Sequence, residues 1–169
     1  MKKYFSFLSI FILFSFLSCE NKTSEPLIVD LLIYNGMIYD GSGEKPYLGS
    51  VGIKDDRIIY VGENTAFESD TIIDASGLSV SPGFINMLSW GYNTLMKDGR
   101  GLSDLVQGVT LEIFGEGTSP GPYYDNGKLI SFEDAMVKLE KNGVSQNIAS
   151  FLGAATTRIL EVGYDNRDA

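Results

Sequence analysis

The chain has 169 residues, 13 Lys+Arg against 22 Asp+Glu for a net charge of −9, 44% hydrophobic residues, one cysteine and no histidine. The hydrophobic share supports a packed core and excludes a disordered chain, while the acidic balance excludes a nucleic-acid-binding surface. Without histidine there is no Ser-His-Asp triad, Cys-His pair, HExxH zinc site or imidazole proton shuttle, and one cysteine allows neither an intrachain disulfide nor a cysteine zinc knuckle.

Lys2 and Lys3 precede an apolar run from Tyr4 to Leu17 that is broken only by serines, and Ser18-Cys19 follows. This is the layout of a secretory signal: positive n-region, apolar h-region, small residue at the cleavage point. The run is shorter than the about 20 residues of a spanning helix, although an uncleaved anchor would share the pattern. Phe16-Leu17-Ser18-Cys19 resembles the lipobox of bacterial lipoproteins. That resemblance implies that residues 1–18 are removed and that Cys19 is lipidated. It also implies a membrane partner reached through the lipid, in the bacterial cell envelope outside the cytoplasm. Residues 19–29 then form a tether, polar from Glu20 to Pro26.

From Asp30 the composition turns β-rich. Leu31–Tyr34 is a short strand, Asn35-Gly36 a hairpin turn signal, and Met37–Tyr39 the return strand. Ser50–Lys54 alternates with period two, Asp55-Asp56 turns, and Arg57–Gly62 comes back. Thr71–Asp74 and Leu78–Val80 are two further strands. Closely spaced short strands predict a small β-sandwich or barrel over residues 30–80. A segment this short is thin for an independent core.

After Ser81-Pro82-Gly83 the rhythm changes, opening a second domain over residues 81–169. Phe84–Leu88 reads as a buried strand. Leu102–Gln107 is a short helix stopped by Gly108, and Val109–Phe114 a second strand. Ser131 caps a helix running through Lys141 with Asn142-Gly143 as its exit, and Asn147–Leu152 is a third strand. This is the alternation of a parallel α/β fold. A (β/α)8 barrel uses roughly 30 residues per unit, so Pro82–Ala169 holds about three units. The segment is either a small open α/β sheet or the front part of something larger.

The stretch from Asp30 through Gly43, Val51–Gly62 and Ile73–Asn86, in that order and spacing, resembles the metal-dependent amidohydrolases of the D-aminoacylase (N-acyl-D-amino-acid deacylase) branch. The resemblance covers Asp30 to about Arg158. It implies a small N-terminal β-sandwich followed by the first βα units of an amidohydrolase (β/α)8 (TIM) barrel, truncated at this chain's end. It also implies hydrolysis of amide bonds in small N-acylated substrates, with zinc as cofactor.

In that family the first barrel strand reads Pro-Gly-Phe-Ile-Asp-x-His-x-His. Here the aspartate position is Asn86 and the two histidine positions are Leu88 and Trp90. A Gly-Asn-Cys-Gly motif after the second strand places its cysteine ligand at Gly117. A Gly-His-Gly-Thr motif after the third places its histidine at Ala154. None of these side chains binds a metal, so the residues present do not support zinc.

Glu116 is then a candidate replacement ligand or base. Glu112, four residues earlier, is expected on the same strand face. For both, a charged residue at a rim or paired in a core is the plainer reading. Gly115-x-Gly-x-x-x-Gly121 follows a strand, but it lacks phosphate-loop spacing and lysine and reads as a substrate loop. Trp90, Tyr92, Tyr123 and Tyr124 are candidates to line an apolar pocket or to join the core. Asp98, Arg100 and Asp104 read as a solvated loop and helix start. Three functions remain open: a lipid-anchored deacylase, a catalytically inactive binding lipoprotein on the same fold, and the product of a truncated frame.

Overall fold

The structure is a computed structural model and describes residues 25–168. Cys19, the signal segment and most of the tether lie outside the described residues. The chain divides into two compact units, with the boundary between Ser81 and Pro82.

The first unit holds β1 (Leu27–Ile38), β2 (Tyr47–Lys54), β3 (Arg57–Gly62), β4 (Phe67–Asp74) and β5 (Ser79–Val80). The sheet order is β3-β2-β1-β4, and β5 also pairs with β1. The β1–β2 and β2–β3 pairs are antiparallel, whereas β4 and β5 run parallel to β1. The Asp55-Asp56 turn forms as expected: Asp55 takes a φ of 53°, and its amide donates to the Asp30 carboxylate at 2.6 Å.

The hairpin expected at Asn35-Gly36 does not form. β1 runs straight through these residues, and its register against β2 slips between Ile33 and Gly36. Asn35 takes a φ of 60°, which makes the pair a bulge rather than a reversal. Both edges of β1 are already occupied, by β2 on one side and by β4 then β5 on the other, so Met37–Ile38 extends β1 and pairs with β5 instead of folding back.

The outer strands of the order meet. The Tyr60 ring on β3 stands edge-on to the Phe67 ring on β4 at 5.1 Å and 79°. Gly52 makes room for this curl, since a Cβ there would lie 3.0 Å from Val29 and 3.3 Å from Tyr60. Val29, Leu32, Ile38 and Val51 form the buried interior, while Ile58 and Ile72 face outward and are largely exposed. A sandwich needs a second sheet facing this one; the described residues of the unit form a single sheet.

The second unit alternates as its sequence predicts. β6 (Phe84–Asn86) is followed by two short helices, α1 (Tyr92–Leu95) and α2 (Leu102–Leu105), and then by β7 (Val109–Phe114). A small hairpin, β8 (Tyr123–Asp125) and β9 (Lys128–Ile130), precedes α3 (Phe132–Asn142). β10 (Asn147–Ser150) and α4 (Ala154–Val162) follow. The three long-range strands are parallel in the order β10-β7-β6. β6 is shorter than expected and ends at Asn86, whose side chain accepts from the Leu88 amide at 3.2 Å and turns the chain off the sheet. The hairpin, α1 and α4 are elements the sequence reading did not contain.

Ser131 starts α3 with a complete capping box. Its hydroxyl accepts from the Asp134 amide at 3.0 Å, and its own amide donates to the Asp134 carboxylate at 3.3 Å. The helix lays Ala135 and Leu139 inward. Leu139, Leu95 and Phe114 form the core, with Tyr92, Met96, Val144 and Ile148 packed around it. The sheet's two outer strands, β6 and β10, carry exposed apolar residues: Phe84 and Ile85 on one, Phe151 and Leu152 just beyond the other. Among the described residues no helix is long and apolar enough to cross a membrane.

Candidate functional site at the strand ends

The C-terminal ends of β6, β7 and β10 gather most of the residues singled out from the sequence. Glu112 sits inside β7 and is only 2% exposed. Its Oε2 accepts a short hydrogen bond from the Ser89 hydroxyl at 2.5 Å, and the same hydroxyl accepts from the Gly91 amide at 3.2 Å. Ser89 is held there by its own amide, which donates to the Ile113 carbonyl at 3.0 Å. Gly91 is needed for the carboxylate to fit, because a Cβ there would stand 2.8 Å from Glu112 Oε2 and 3.1 Å from Ser89 Oγ.

Glu116 is elsewhere. β7 ends at Phe114, and Gly115 takes a φ of 97°, where a Cβ would collide with the Phe151 carbonyl. Glu116 follows in an exposed bend. The expectation that Glu112 and Glu116 share a strand face is therefore incorrect, since the alternation that would pair them stops two residues before Glu116.

Leu88 and Trp90 are both largely exposed, at 56% and 66%. They border a cavity of about 370 Å³ that Glu112, Ser89, Asn86 and Asp104 also line. Gly117 lies next to Trp90: a Cβ on Gly117 would be 3.9 Å from the indole. The Gly117 carbonyl accepts from the Ala155 amide at 2.9 Å, so the loop after β7 is fastened to the first turn of α4, where Ala154 sits. Of the four positions at which the resemblance implies metal ligands, Leu88, Trp90 and Gly117 thus lie on loops and Ala154 at the start of α4, around the same strand ends. Their side chains supply no donor atom. Among the described residues no group of three or more His, Cys, Asp or Glu could hold a metal ion. The residues present do not fit zinc, and no chemical step is derived through a metal here.

A larger cavity of about 650 Å³ opens beside the first. Tyr92, Tyr123, Tyr124 and Tyr164 line it together with Pro120 and Pro122. Three of the four aromatics proposed from the sequence therefore border this space; Trp90 lines the 370 Å³ cavity and a smaller one of about 130 Å³ that also contains Tyr92. Burial pushes the Tyr92 hydroxyl above its usual range, and Tyr123 beside it adds to the effect. The Tyr92 hydroxyl donates to the Ala135 carbonyl at 3.3 Å. Thr156 accepts from the Ser119 amide at 2.7 Å, and Ser119 donates to the Gly121 carbonyl at 2.6 Å, which fixes the loop wall.

Asp98 and Arg100 form an exposed ion pair at 2.7 Å, a solvated loop as expected. The guanidinium hydrogen bond holds the Asp98 carboxyl down to about 2. Sequence reasoning missed Ser89, Gly91 and Thr156. The signal for the first two was the lone carboxylate in the otherwise apolar Val109–Phe114 strand, which demands a buried donor and space.

No protein-family profile matches the chain. The D-aminoacylase of Alcaligenes xylosoxydans xylosoxydans is 29% identical over 144 residues, covering 76% of this chain and 30% of the enzyme. The N-acyl-D-glutamate deacylase of the same organism is 34% identical over 89 residues, covering 47% of this chain and 18% of that protein. A crystal structure of D-aminoacylase, described as defining a novel subset of amidohydrolases, superposes with a TM-score of 0.71 at 27% identity over 83% of this chain and 33% of its own. Another D-aminoacylase structure, from work on its binuclear metal center, gives a TM-score of 0.72 at 28% identity. The chain spans about a third of the length of the D-aminoacylases it matches. The chain is thus similar to the D-aminoacylase and N-acyl-D-glutamate deacylase amidohydrolases over a partial, N-terminal region of their length.

Proposed function

We propose that the chain serves as the scaffold of an amide-bond hydrolase of the N-acyl-amino-acid deacylase kind. In this reading β6, β7 and β10 are the first three strands of a (β/α)8 barrel, and the curled sheet of the first unit is part of a β-sandwich. The observation that carries it is the superposition with D-aminoacylase over 83% of the chain. The open edges at β6 and β10, with Phe84, Ile85, Phe151 and Leu152 exposed beside them, are where further barrel strands would pair.

Amide hydrolysis needs an activated water and charge stabilisation at the developing oxyanion. Leu88, Trp90, Gly117 and Ala154 supply neither. On this reading the chain's own contribution is positional: Glu112 and Ser89 hold the ends of β6 and β7 in register, and the Gly117 carbonyl locks the following loop to α4. Those same positions favour a second reading, a binding protein on the amidohydrolase fold that does not cleave its ligand.

A chimera separates the two. Residues 27–162 replace the matching third of the Alcaligenes D-aminoacylase, and release of free amino acid from N-acetyl-D-amino acids is followed. The scaffold reading expects a folded, silent chimera that gains turnover when Leu88→His, Trp90→His, Gly117→Cys and Ala154→His are added. A folded chimera that stays silent with all four changes favours the binding reading.

We also propose that Cys19 carries the lipid that anchors the protein at the envelope membrane. The n-region, h-region and Ser18-Cys19 junction support this. Cys19→Ala should move the protein out of the membrane fraction; a variant that stays there as tightly as the parent overturns the anchor.

A further inference from the structure

The cavity of about 650 Å³ is in the size range of small-molecule sites, and nothing in the amidohydrolase reading uses it. It is built on α1, α4, the β8–β9 hairpin and the loop before that hairpin. Its walls combine two chemistries. Tyr92, Tyr123, Tyr124 and Tyr164 offer ring faces and edges, supported by Ile159 and Leu160. Asn93, Thr118, Ser119 and Thr156 offer neutral hydrogen-bonding groups. No lysine, arginine, aspartate or glutamate lines it.

The absence of charge from the lining decides between ligand classes. A carboxylate or phosphate entering this space would be desolvated against tyrosine and proline with no cation to pair it. The whole chain is acidic, with a net charge of −9, and adds repulsion at longer range. A purely aliphatic chain would leave the amide of Asn93 and the hydroxyl of Thr118 facing apolar surface. An uncharged ring with a C–H face and hydroxyls on its rim meets both requirements: its apolar face packs on an aromatic ring, and its rim exchanges hydrogen bonds with neutral side chains.

We propose that this tyrosine-lined cavity binds a neutral saccharide through a pyranose ring. The inference concerns binding alone, so it stands whether or not the chain takes part in amide hydrolysis. The loop wall is already ordered by the Ser119–Thr156 and Ser119–Gly121 hydrogen bonds, and Tyr92 is tied to α3 through the Ala135 carbonyl. The site therefore needs little rearrangement to receive a ligand, which lowers the ordering cost of binding.

The test uses the full chain labelled with fluorotyrosine and two probes that share one ring. Methyl β-D-glucopyranoside is neutral, and methyl β-D-glucuronide carries a carboxylate on the same ring. The glucopyranoside should shift the fluorine signals of Tyr92, Tyr123, Tyr124 and Tyr164 saturably, at roughly millimolar affinity, and leave those of Tyr34, Tyr39, Tyr47 and Tyr60 in place. The glucuronide should bind about tenfold more weakly, and Tyr123→Ala should weaken the glucopyranoside about tenfold. Tyr123→Phe keeps the ring and should retain binding. Loss of saturable shifts, equal affinity for the two probes, or an undiminished Tyr123→Ala would each overturn the proposal. Should Tyr123→Ala fail to fold, the residue pattern of the parent's shifts decides by itself.

Discussion

The Ser89 hydroxyl donates to Glu112 Oε2 at 2.5 Å inside the second unit, joining the residue after the β6 turn to the middle of β7. Both side chains are nearly inaccessible. A buried carboxylate left without its donor loses solvation that nothing replaces. Ser89→Ala and Glu112→Leu should each destabilise the protein by about 1–3 kcal/mol. The double variant should cost clearly less than their sum, because both halves of the pair leave together. Urea unfolding of the four proteins measures this; additive losses would mean the hydrogen bond carries no coupling. Gly91→Ala places a methyl 2.8 Å from the carboxylate oxygen and should be as damaging as either single change, by about 1–3 kcal/mol.

The β1 bulge makes a second prediction. Gly36 has no room for a side chain: a Cβ would lie 2.4 Å from Val80 Cγ2 and 3.3 Å from the Ala75 Cβ. Gly36→Ala should therefore cost about 1–3 kcal/mol by overpacking. Val80→Ala removes the methyl group in the way. Added to Gly36→Ala it should recover part of the loss, even though it is itself destabilising. Thermal unfolding of both single variants and the pair reads the recovery. A pair that is worse than the sum would place the strain elsewhere.

Two of the three Asn-Gly dipeptides show how far the sequence could be read. At Asn35-Gly36 the dipeptide predicts a hairpin, yet it forms a bulge inside a strand that has neighbours on both edges. At Asn126-Gly127, with φ of 49° and 79°, the same dipeptide makes the hairpin between β8 and β9. The local turn preference is identical; long-range pairing decides what it becomes. The β–α alternation from Phe84 onward was legible because hydrophobic period and capping residues agree, as at Ser131. The site was less so. Spacing placed Glu112 and Glu116 on one face, but Gly115 leaves the strand conformation between them. Gly91 reveals its purpose only through the carboxylate it adjoins, which is distant in sequence.

Acid should weaken the protein through its local carboxylate contacts. Asp134 is held below its usual value of 3.8 first by the Ser131 hydroxyl. Asp40 is lowered by Ser42 and Asp74 by Ser76, and Asp98 falls to about 2 beside Arg100. Each folded-state value lies below the unfolded one. The stability they contribute is therefore complete above about pH 4 and lost as pH falls through the folded values. All four residues are at the surface, so the loss is gradual and weakens in salt. Ser131→Ala removes the cap, should cost about 1 kcal/mol at neutral pH, and should flatten the acid limb. Melting temperatures of parent and variant from pH 6 to about 2 check both parts; parallel curves would mean that the capping box does not titrate with folding.

The donorless strand ends give the last prediction. Leu88 and Trp90 border one cavity with Glu112 and Asp104, but a leucine and an indole offer no lone pair to a metal. Carboxylates alone favour harder cations than zinc. The purified chain should therefore retain no stoichiometric zinc after dialysis, and stoichiometric retention would overturn this. Leu88→His with Trp90→His places two imidazoles at that cavity, above a carboxylate already fixed by Ser89. Because both replaced side chains are largely exposed, the double variant should melt within about 0.5 kcal/mol of the parent. It should gain zinc binding that is lost below about pH 6, as the imidazoles protonate. A further Glu112→Gln change keeps an acceptor for the Ser89 hydroxyl but removes the carboxyl group, and it should weaken that gained affinity. If the double variant folds and binds no zinc, the two positions do not converge on a common point, and their correspondence to the relatives' metal ligands is wrong.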